Sequence, residues 1–498
     1  MQGRCGRCAY SFYGIPTHAR CCSLLTGASS NLHSGSGAMH SAPGSVHVRP
    51  VVAASRTDGG WLQRHRGGLG RCLPSLLVVG SQRSGLASVH YALRRGWHSG
   101  LRVNGGEREL HFFSMDNRYK LGLLNYEQRF HPDSSARSGC APSHPAETSS
   151  LLLAEVSSTY FDYPKAATRI AAVLPNAKVV IVLREPVERA FSAYNLRWMT
   201  WLCGKLIFKQ ADCWSAVTSE EAIKTAQVGP FQMRAALKLY RSCSGKGGGK
   251  STNGAPSLKC LQADYLAKLR DKFETELRTL QNCQARAEER GTPASVDWQG
   301  CLKLRSVMLG PKQMHKVLED SSFVWRSMYA AQLRGWLRLF PPDHLHVTDP
   351  STLLSPETSP AAMRRLVRFA GLSDTGSDST AAATASATFA IRDELLTEPS
   401  NGAKEMGASR GIHENARPYI VGAGRRPADV TRALKEWLHV HACDLAGLLI
   451  KQGLVGSDAG SGHGVLPWLR DELDSARHGL GGVCAGVKVV SEWFVGSS

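Results

Sequence analysis

The sequence predicts an α/β fold, a mostly parallel sheet with helices on both faces and with helical insertions. Four short apolar runs have the length and β-branched content of buried strands, and the run KVVIVL is the clearest: Leu76–Val79, Leu151–Val156, Lys178–Leu183 and His344–Thr348. Helical patterns lie between them, as at Lys165–Leu174 and Arg326–Phe340. Strands that alternate with helices are typical of a parallel sheet covered on both faces.

The composition indicates a polyanionic partner. The chain has 498 residues and a formal charge of +19. A positive excess suits nucleotide phosphates, a sulfated glycan, nucleic acid or an acidic membrane surface, and does not choose among them. No recognition motif with interleaved aromatic residues is present, so no nucleic-acid partner is expected. No run of about 18 apolar residues is present either, and membrane association is left open.

The predicted organisation has three parts. Residues 1–73 form a leader, 74–452 one domain with an insertion around 201–320, and 453–498 a C-terminal extension. The first 57 residues contain no Asp or Glu, which fits either an organellar transit peptide or a disordered leader. Within the insertion, apolar residues from Leu266 to Leu280 recur at helical spacing. They favour a helix packed on its own domain over a partner-binding coiled coil.

The cysteines leave two alternatives open. Six of the 14 lie between Cys203 and Cys301, as expected for disulfides in an oxidising lumen or for buried free thiols. If disulfides form, at least one pair in this segment should have Cα atoms within about 7 Å. Cys5 and Cys8 have no second pair at a zinc-ligand spacing, so no metal site is expected.

The first strand ends in a candidate anion site. It leads into the loop GSQRSGLAS, residues 80–88, and then into a helix whose N-terminal N–H groups favour negative charge. A nucleotide-triphosphate P-loop would continue with Lys-Ser or Lys-Thr, but Leu86 and Ala87 stand there. The loop therefore argues against an ATPase, a GTPase or a nucleotide kinase.

The strand KVVIVL leads to a second candidate phosphate site. Arg184 follows the strand, Pro186 suits the first position of a helix, and Ser192 lies two turns further on. Ligands of open α/β sheets bind at the carboxyl ends of the strands. An Arg fork and a hydroxyl there can hold a terminal phosphate. We expect Arg184 and Ser192 to face the loop across one cleft.

These motifs resemble those of the sulfotransferases that use 3'-phosphoadenosine 5'-phosphosulfate (PAPS), especially the carbohydrate, heparan sulfate-like type. The loop is similar to the family's 5'-phosphosulfate loop, with Arg83 at its Lys position and Leu86 and Ala87 at its hydroxyl pair. The stretch 184–192 is similar to its 3'-phosphate motif. The stretch RELHFF, residues 108–113, is similar to a family segment in which the Glu is the general base.

The resemblance implies a P-loop-kinase-like architecture and a role for each matching residue. Glu109 and Arg83 would be catalytic, with His111 as a weaker rival base. The residues expected to bind PAPS are Arg83, Ser84, Gly85, Leu86, Ala87, Ser88, Arg184, Ser192, Gly424 and Arg425. The last two lie in a stretch, Gly422–Pro427, that is similar to the loop closing over the donor.

The implied function is transfer of a sulfuryl group from PAPS to a hydroxyl or amine of a carbohydrate acceptor, expected to be anionic, without a metal. The alternative is a catalytically degenerate protein of the same fold that binds PAPS, its product PAP or a glycan. It rests on the replaced Lys and hydroxyl positions of the loop. The implied compartment is the Golgi lumen, and the acidic-poor N-terminus supports organellar import as the alternative.

Overall fold

The computed structural model describes residues 73–94, 101–104, 109–130, 152–203, 230–244, 258–290, 296, 298, 322–355, 359–372, 426–455, 466–477 and 482–484. All of them belong to one compact unit, Gly60–Ser498. The predicted leader lies outside the described residues, apart from Leu73, so its nature stays a prediction.

A five-stranded parallel sheet organises the chain. Its strands are β1 (Leu76–Gly80), β2 (Leu101–Val103), β3 (Leu152–Val156), β4 (Lys178–Val182) and β5 (Leu345–Thr348). The strand order is β2-β3-β1-β4-β5, and every neighbouring pair is parallel. The four predicted strands are confirmed. The edge strand β2 was not predicted, because three residues are too few for a period to show.

Twelve helices accompany the strands among the described residues. They are α1 (Leu86–Arg94), α2 (Asp116–Tyr119), α3 (Leu123–Glu127), α4 (Pro164–Val173), α5 (Pro186–Cys203), α6 (Pro230–Ser244), α7 (Leu258–Glu289), α8 (Tyr329–Leu337), α9 (Pro350–Leu354), α10 (Ser359–Phe369), α11 (Ala428–Lys451) and α12 (Arg470–Arg477). The predicted helix over 326–340 is shorter, because a 3₁₀ turn at Trp325–Ser327 precedes α8.

Both faces of the sheet are buried, as the predicted fold class requires. Successive strand residues point to opposite faces. Leu77 and Val79 join a core with α4 and α8, whereas Leu76 and Val78 join a core with α1 and α10. The predicted P-loop-kinase-like α/β fold is confirmed. The sheet holds the carboxyl ends of β1, β3 and β4 side by side, where the predicted site residues begin.

The insertion packs against the domain. Helices α6 and α7 form a third core with α5 and with part of α11. The long apolar stripe of α7 is therefore satisfied within the chain, as expected. Cys243 and Cys260 form a disulfide with a Cα–Cα distance of 5.6 Å. This is the kind of pair expected within the segment from Cys203 to Cys301 if disulfides form.

The predicted C-terminal extension contributes to the core. Leu466, Leu469 and Leu473 are buried beside α11. A second disulfide, Cys443–Cys484, joins this segment to α11. The sequence did not predict this pair, since nothing in the spacing of the two residues distinguishes them. The predicted boundary at residue 452 stays a prediction.

Candidate active site

The loop after β1 requires glycine for a steric reason. Gly80 has a φ of +150°, and a Cβ there would lie 2.7 Å from the Cβ of Phe161 and 3.1 Å from the carbonyl oxygen of Ser158. Gly85, just before α1, has a φ of +75°, which a side chain rarely adopts. The chain after β3 therefore packs directly on the loop after β1.

The loop side chains at the predicted donor positions are largely turned inward. Leu86 is buried in the core beneath the sheet. Ser84 is fully buried, and its hydroxyl lies 2.6 Å from the hydroxyl of Ser81. Ser88 is also buried and lies in the first turn of α1, where its N–H donates to the carbonyl of Gly85. At these positions a ligand would meet mainly backbone N–H groups at the start of α1.

The structure brings Arg83 together with the second predicted site. The Arg83 Nε donates to the Ser192 hydroxyl over 3.0 Å. Nη1 of Arg184 donates to the backbone oxygen of Arg83 over 3.4 Å. The expected juxtaposition of Arg184 and Ser192 with the loop is therefore observed, and two guanidinium groups converge there. Their roles toward a ligand stay predictions.

Glu188, in the first turn of α5, links Arg184 to Arg426, which lies within the predicted closing loop Gly422–Pro427. Its carboxylate lies 3.7 Å from Arg184 and pairs with both terminal nitrogens of Arg426. These Arg426 hydrogen bonds hold the pKa of Glu188 below its usual value. Arg426 also stacks over the ring of Phe191, 4.4 Å from its centroid. Gly424 and Arg425 lie outside the described residues.

Glu109, the predicted base, is anchored on the chain after β3. Its Oε2 accepts from the backbone N–H of Ser158 over 3.0 Å and from the Ser158 hydroxyl over 2.5 Å. The carboxylate is about one-quarter exposed. Because the Ser158 carbonyl packs against Gly80, Ser158 connects Glu109 to the loop after β1. The predicted base and the predicted donor loop are therefore neighbours.

His111, the predicted rival base, lies beside Glu109. Its Nε2 is 3.4 Å from the Glu109 carboxylate, and its Nδ1 is 2.9 Å from the hydroxyl of Thr159. Its backbone N–H donates to the Ser157 hydroxyl. The next two residues, Phe112 and Phe113, are buried in the core as expected. His111 is therefore placed to orient Glu109 or to share its proton.

A buried carboxylate behind this pair was not predicted. Glu155 is fully buried on β3, and it accepts from the hydroxyls of Tyr126, Ser157 and Tyr160. Burial raises the pKa of Glu155, and the hydroxyl donors oppose that effect. The sequence signal was a lone acidic residue inside the apolar run LLLAEV.

A cluster of charges behind the loop was also missed. Arg189 is fully buried, and Arg326 pairs with buried Asp162. Both guanidinium groups donate to Gln82, the loop residue before Arg83. Burial lowers the pKa of Arg189 and raises the pKa of Asp162. Sequence spacing could not reveal this cluster, because its members come from four distant segments.

The described part of the chain has neither a metal-binding group nor a membrane-spanning helix. It contains no group of three or more His, Cys, Asp or Glu side chains arranged to hold a metal ion. None of its helices is both long enough and apolar enough to cross a membrane.

Comparison with known proteins finds relatives that are named as sulfotransferases. The bifunctional heparan sulfate N-deacetylase/N-sulfotransferase 1 of Caenorhabditis briggsae is 35% identical over 127 residues, 25% of this chain and 13% of the relative. The membrane-associated sulfotransferase kil1 of Dictyostelium discoideum is 24% identical over 283 residues, 55% of this chain and 52% of the relative. The predicted resemblance to carbohydrate sulfotransferases is confirmed.

The sulfotransferase resemblance covers part of each relative, since the matched regions span 13% and 52% of those two proteins. No family model matches the chain. Among solved structures, a sulfotransferase from Alicyclobacillus acidocaldarius aligns over 60% of this chain and 82% of that one, with 18% identity and a TM-score of 0.29.

Proposed function

We propose that the protein is a PAPS-dependent sulfotransferase that transfers a sulfuryl group to a hydroxyl or amine of a carbohydrate. The observation that carries the proposal is the convergence of Arg83, Arg184 and Ser192 at the loop after β1, with Glu109 joined to that loop through Ser158. Two cations and a carboxylate at this loop are the groups that transfer between a phosphate leaving group and a protic acceptor would use.

On the donor side, Arg184 and Ser192 would hold the 3'-phosphate of PAPS. Arg83 and the N–H groups at the start of α1 would face the 5'-phosphosulfate. When the bond from sulfur to the bridging phosphate oxygen breaks, negative charge accumulates on the departing phosphate of PAP. Arg83 cannot release its proton near neutral pH, so its contribution is electrostatic.

On the acceptor side, Glu109 would accept the proton of the attacking hydroxyl or amine as the new bond to sulfur forms. The two hydrogen bonds from Ser158 hold the carboxylate in a fixed position for this role. The relative from Caenorhabditis briggsae is named for heparan sulfate N-sulfotransferase activity. Together with the charge of +19, that name supports an anionic glycan as acceptor.

The proposed compartment is the Golgi lumen. The disulfides Cys243–Cys260 and Cys443–Cys484 support an oxidising lumen, since such bonds are rare where thiols are kept reduced. Import into another organelle is the alternative that the acidic-poor N-terminus supports. Imaging of the tagged full-length protein with Golgi and organelle markers distinguishes the two.

The proposed function is tested first by calorimetric titration with PAP and then by transfer of radiolabelled sulfate from PAPS to a panel of glycans. Arg184→Ala should weaken PAP binding about tenfold to a hundredfold, since hydrogen bonds to charged groups contribute about 1.5–3 kcal/mol. The exposed Arg278 on α7 supplies a matched control, and Arg278→Ala should bind PAP like wild type.

The outcomes separate the two functions. Absence of PAP binding by the wild-type protein would overturn the proposal. PAP binding without transfer to any glycan, with transfer restored by Arg83→Lys, Leu86→Thr and Ala87→Thr together, would identify the degenerate binder.

A further inference from the structure

The insertion helix α7 carries one carboxylate on its buried side. Glu276 is 5% exposed. Its two oxygens accept the backbone N–H groups of Phe323, Val324 and Trp325 over 2.8, 2.9 and 3.0 Å. A single side chain therefore satisfies three successive donors at the start of a 3₁₀ turn, where N–H groups otherwise lack partners. Glu276 fixes the backbone of segment 322–327.

Segment 322–327 in turn fixes Arg189. Nε of Arg189 donates to the Ser327 hydroxyl over 2.7 Å, and Nη2 donates to the Phe323 carbonyl. The Ser327 hydroxyl donates to the carbonyl of Pro186 over 2.8 Å. A fully buried guanidinium thus takes its orientation from the two ends of the segment that Glu276 caps.

The same segment carries Arg326, and both arginines reach the donor loop. Arg326 pairs with Asp162 and donates to the side-chain oxygen of Gln82. Arg189 donates to the backbone oxygen of Gln82 over 3.5 Å. Gln82 immediately precedes Arg83, whose φ of 75° is uncommon for a residue with a side chain. The hydrogen bonds that hold Gln82 therefore restrain the backbone of the next residue, Arg83.

We propose that Glu276 is a positioning residue for the donor loop and that the insertion helix acts as its brace. The path runs from Glu276 through segment 322–327 to Arg189 and Arg326, and from them to Gln82 and Arg83. The inference concerns donor geometry and rests on the proposed function only for its ligand. The proposed coupling of α7 to the loop does not depend on a bound ligand, so it can be tested without one.

The first experiment needs no ligand. Hydrogen exchange is measured by mass spectrometry on peptides that cover residues 80–88 and 322–327 in the wild-type protein and in Glu276→Gln. The amide side chain keeps the shape of Glu276 but replaces one acceptor oxygen with an NH2 donor that would face a backbone N–H, so exchange should accelerate in both peptides. Faster exchange in 322–327 alone, with the loop unchanged, would overturn the proposal.

A matched control separates bracing from general loss of stability. Leu261 is buried on the same helix, 15 residues before Glu276 and therefore about 22 Å away along the axis. Leu261→Ala should lower the melting temperature without changing exchange in residues 80–88. Equal acceleration of the loop in both variants would show that any weakening of α7 has this effect, and the proposal would fail.

The second experiment uses PAP. Glu276→Gln should raise the Kd for PAP and the KM for PAPS about three- to thirtyfold, while the acceptor KM stays the same. Gln82→Ala removes only the last link and should produce a smaller change in the same direction, which covers the case that Glu276→Gln does not fold. A Kd like that of wild type in both variants would contradict the proposal. If wild type binds no PAP, the proposed function fails while the exchange experiment still decides the brace.

Discussion

Two buried carboxylates support the two sides of the site in different ways. Glu155, behind the predicted base, accepts from three side-chain hydroxyls, one on α3 and two on the chain after β3. Glu276, behind the donor loop, accepts from three backbone N–H groups. A hydroxyl can rotate and accept a hydrogen bond, whereas a backbone N–H can only donate. The carboxyl of Glu155 can therefore bind a proton and keep its hydroxyl partners, whereas a proton on Glu276 would place an O–H against a backbone N–H.

The acceptor side and the donor loop are therefore supported by different parts of the chain. The acceptor side is held by residues of the sheet and the loops next to it, inside the region that resembles sulfotransferases. The donor loop is held from behind by segment 322–327, whose backbone N–H groups donate to Glu276 on the insertion helix α7. Changes near Glu155 should therefore alter the acceptor side, and changes in the insertion should alter the donor side.

The strongest test of this separation is Glu109→Gln. Removing the predicted base should lower the rate of sulfate transfer about 10²- to 10⁴-fold. PAP affinity should stay near that of wild type, because Glu109 makes its contacts with Ser158 and His111. Transfer kinetics and calorimetry on the same preparation check both statements. Retained transfer in Glu109→Gln, lost in His111→Gln, would assign the base to His111.

Changes at Arg83 should act on the donor side. Arg83→Ala should lower kcat about 10²- to 10³-fold, as expected when a group that stabilises leaving-group charge is removed. Arg83→Lys keeps the charge and should keep or raise the rate. Kinetics with varied PAPS at saturating acceptor measure the effect. Equal loss in both variants would show that the hydrogen bond of Arg83 to Ser192, not its charge, matters.

Removal of the insertion disulfide should weaken the donor side through α7. Cys243→Ser opens a bond that spans 17 residues and should lower the free energy of unfolding by about 3 kcal/mol. Cys443→Ser, at the C-terminal disulfide, is the control that leaves the insertion intact. Denaturant unfolding and PAP titration of both variants give the comparison. Thiol titration that finds every cysteine free in the native protein would reject both bonds.

The smallest effect is expected for Glu155→Gln. The amide keeps one acceptor for the three hydroxyls but introduces a donor, so the protein should lose about 1–3 kcal/mol of stability. Transfer should slow because Ser157, which accepts the N–H of His111, loses part of its support. PAP affinity should not change. A weakened PAP affinity here would contradict the separation of the two sides.

The sequence by itself determined four of the five strands, the two anion-site motifs and the buried aromatic residues. Strand residues such as Val179–Ile181 and the glycine turn at Gly80 depend on local steric and hydrophobic rules, and those rules act between near neighbours in the chain. The same locality placed Arg184 and Ser192 on adjacent parts of one strand–helix unit. It did not show β2, because that strand has only three residues.

Only the tertiary structure decided what lies behind these motifs. Gln82, Asp162, Arg189 and Arg326 meet because the sheet and α8 bring four distant segments together, and no periodicity of the sequence records such a meeting. From the sequence alone, Glu276 looks like a solvent-exposed charge on a long helix. We propose a positioning role for it because packing of α7 buries its carboxylate against three backbone N–H groups. A buried carboxylate is tolerated only when hydrogen bonds compensate for the loss of water.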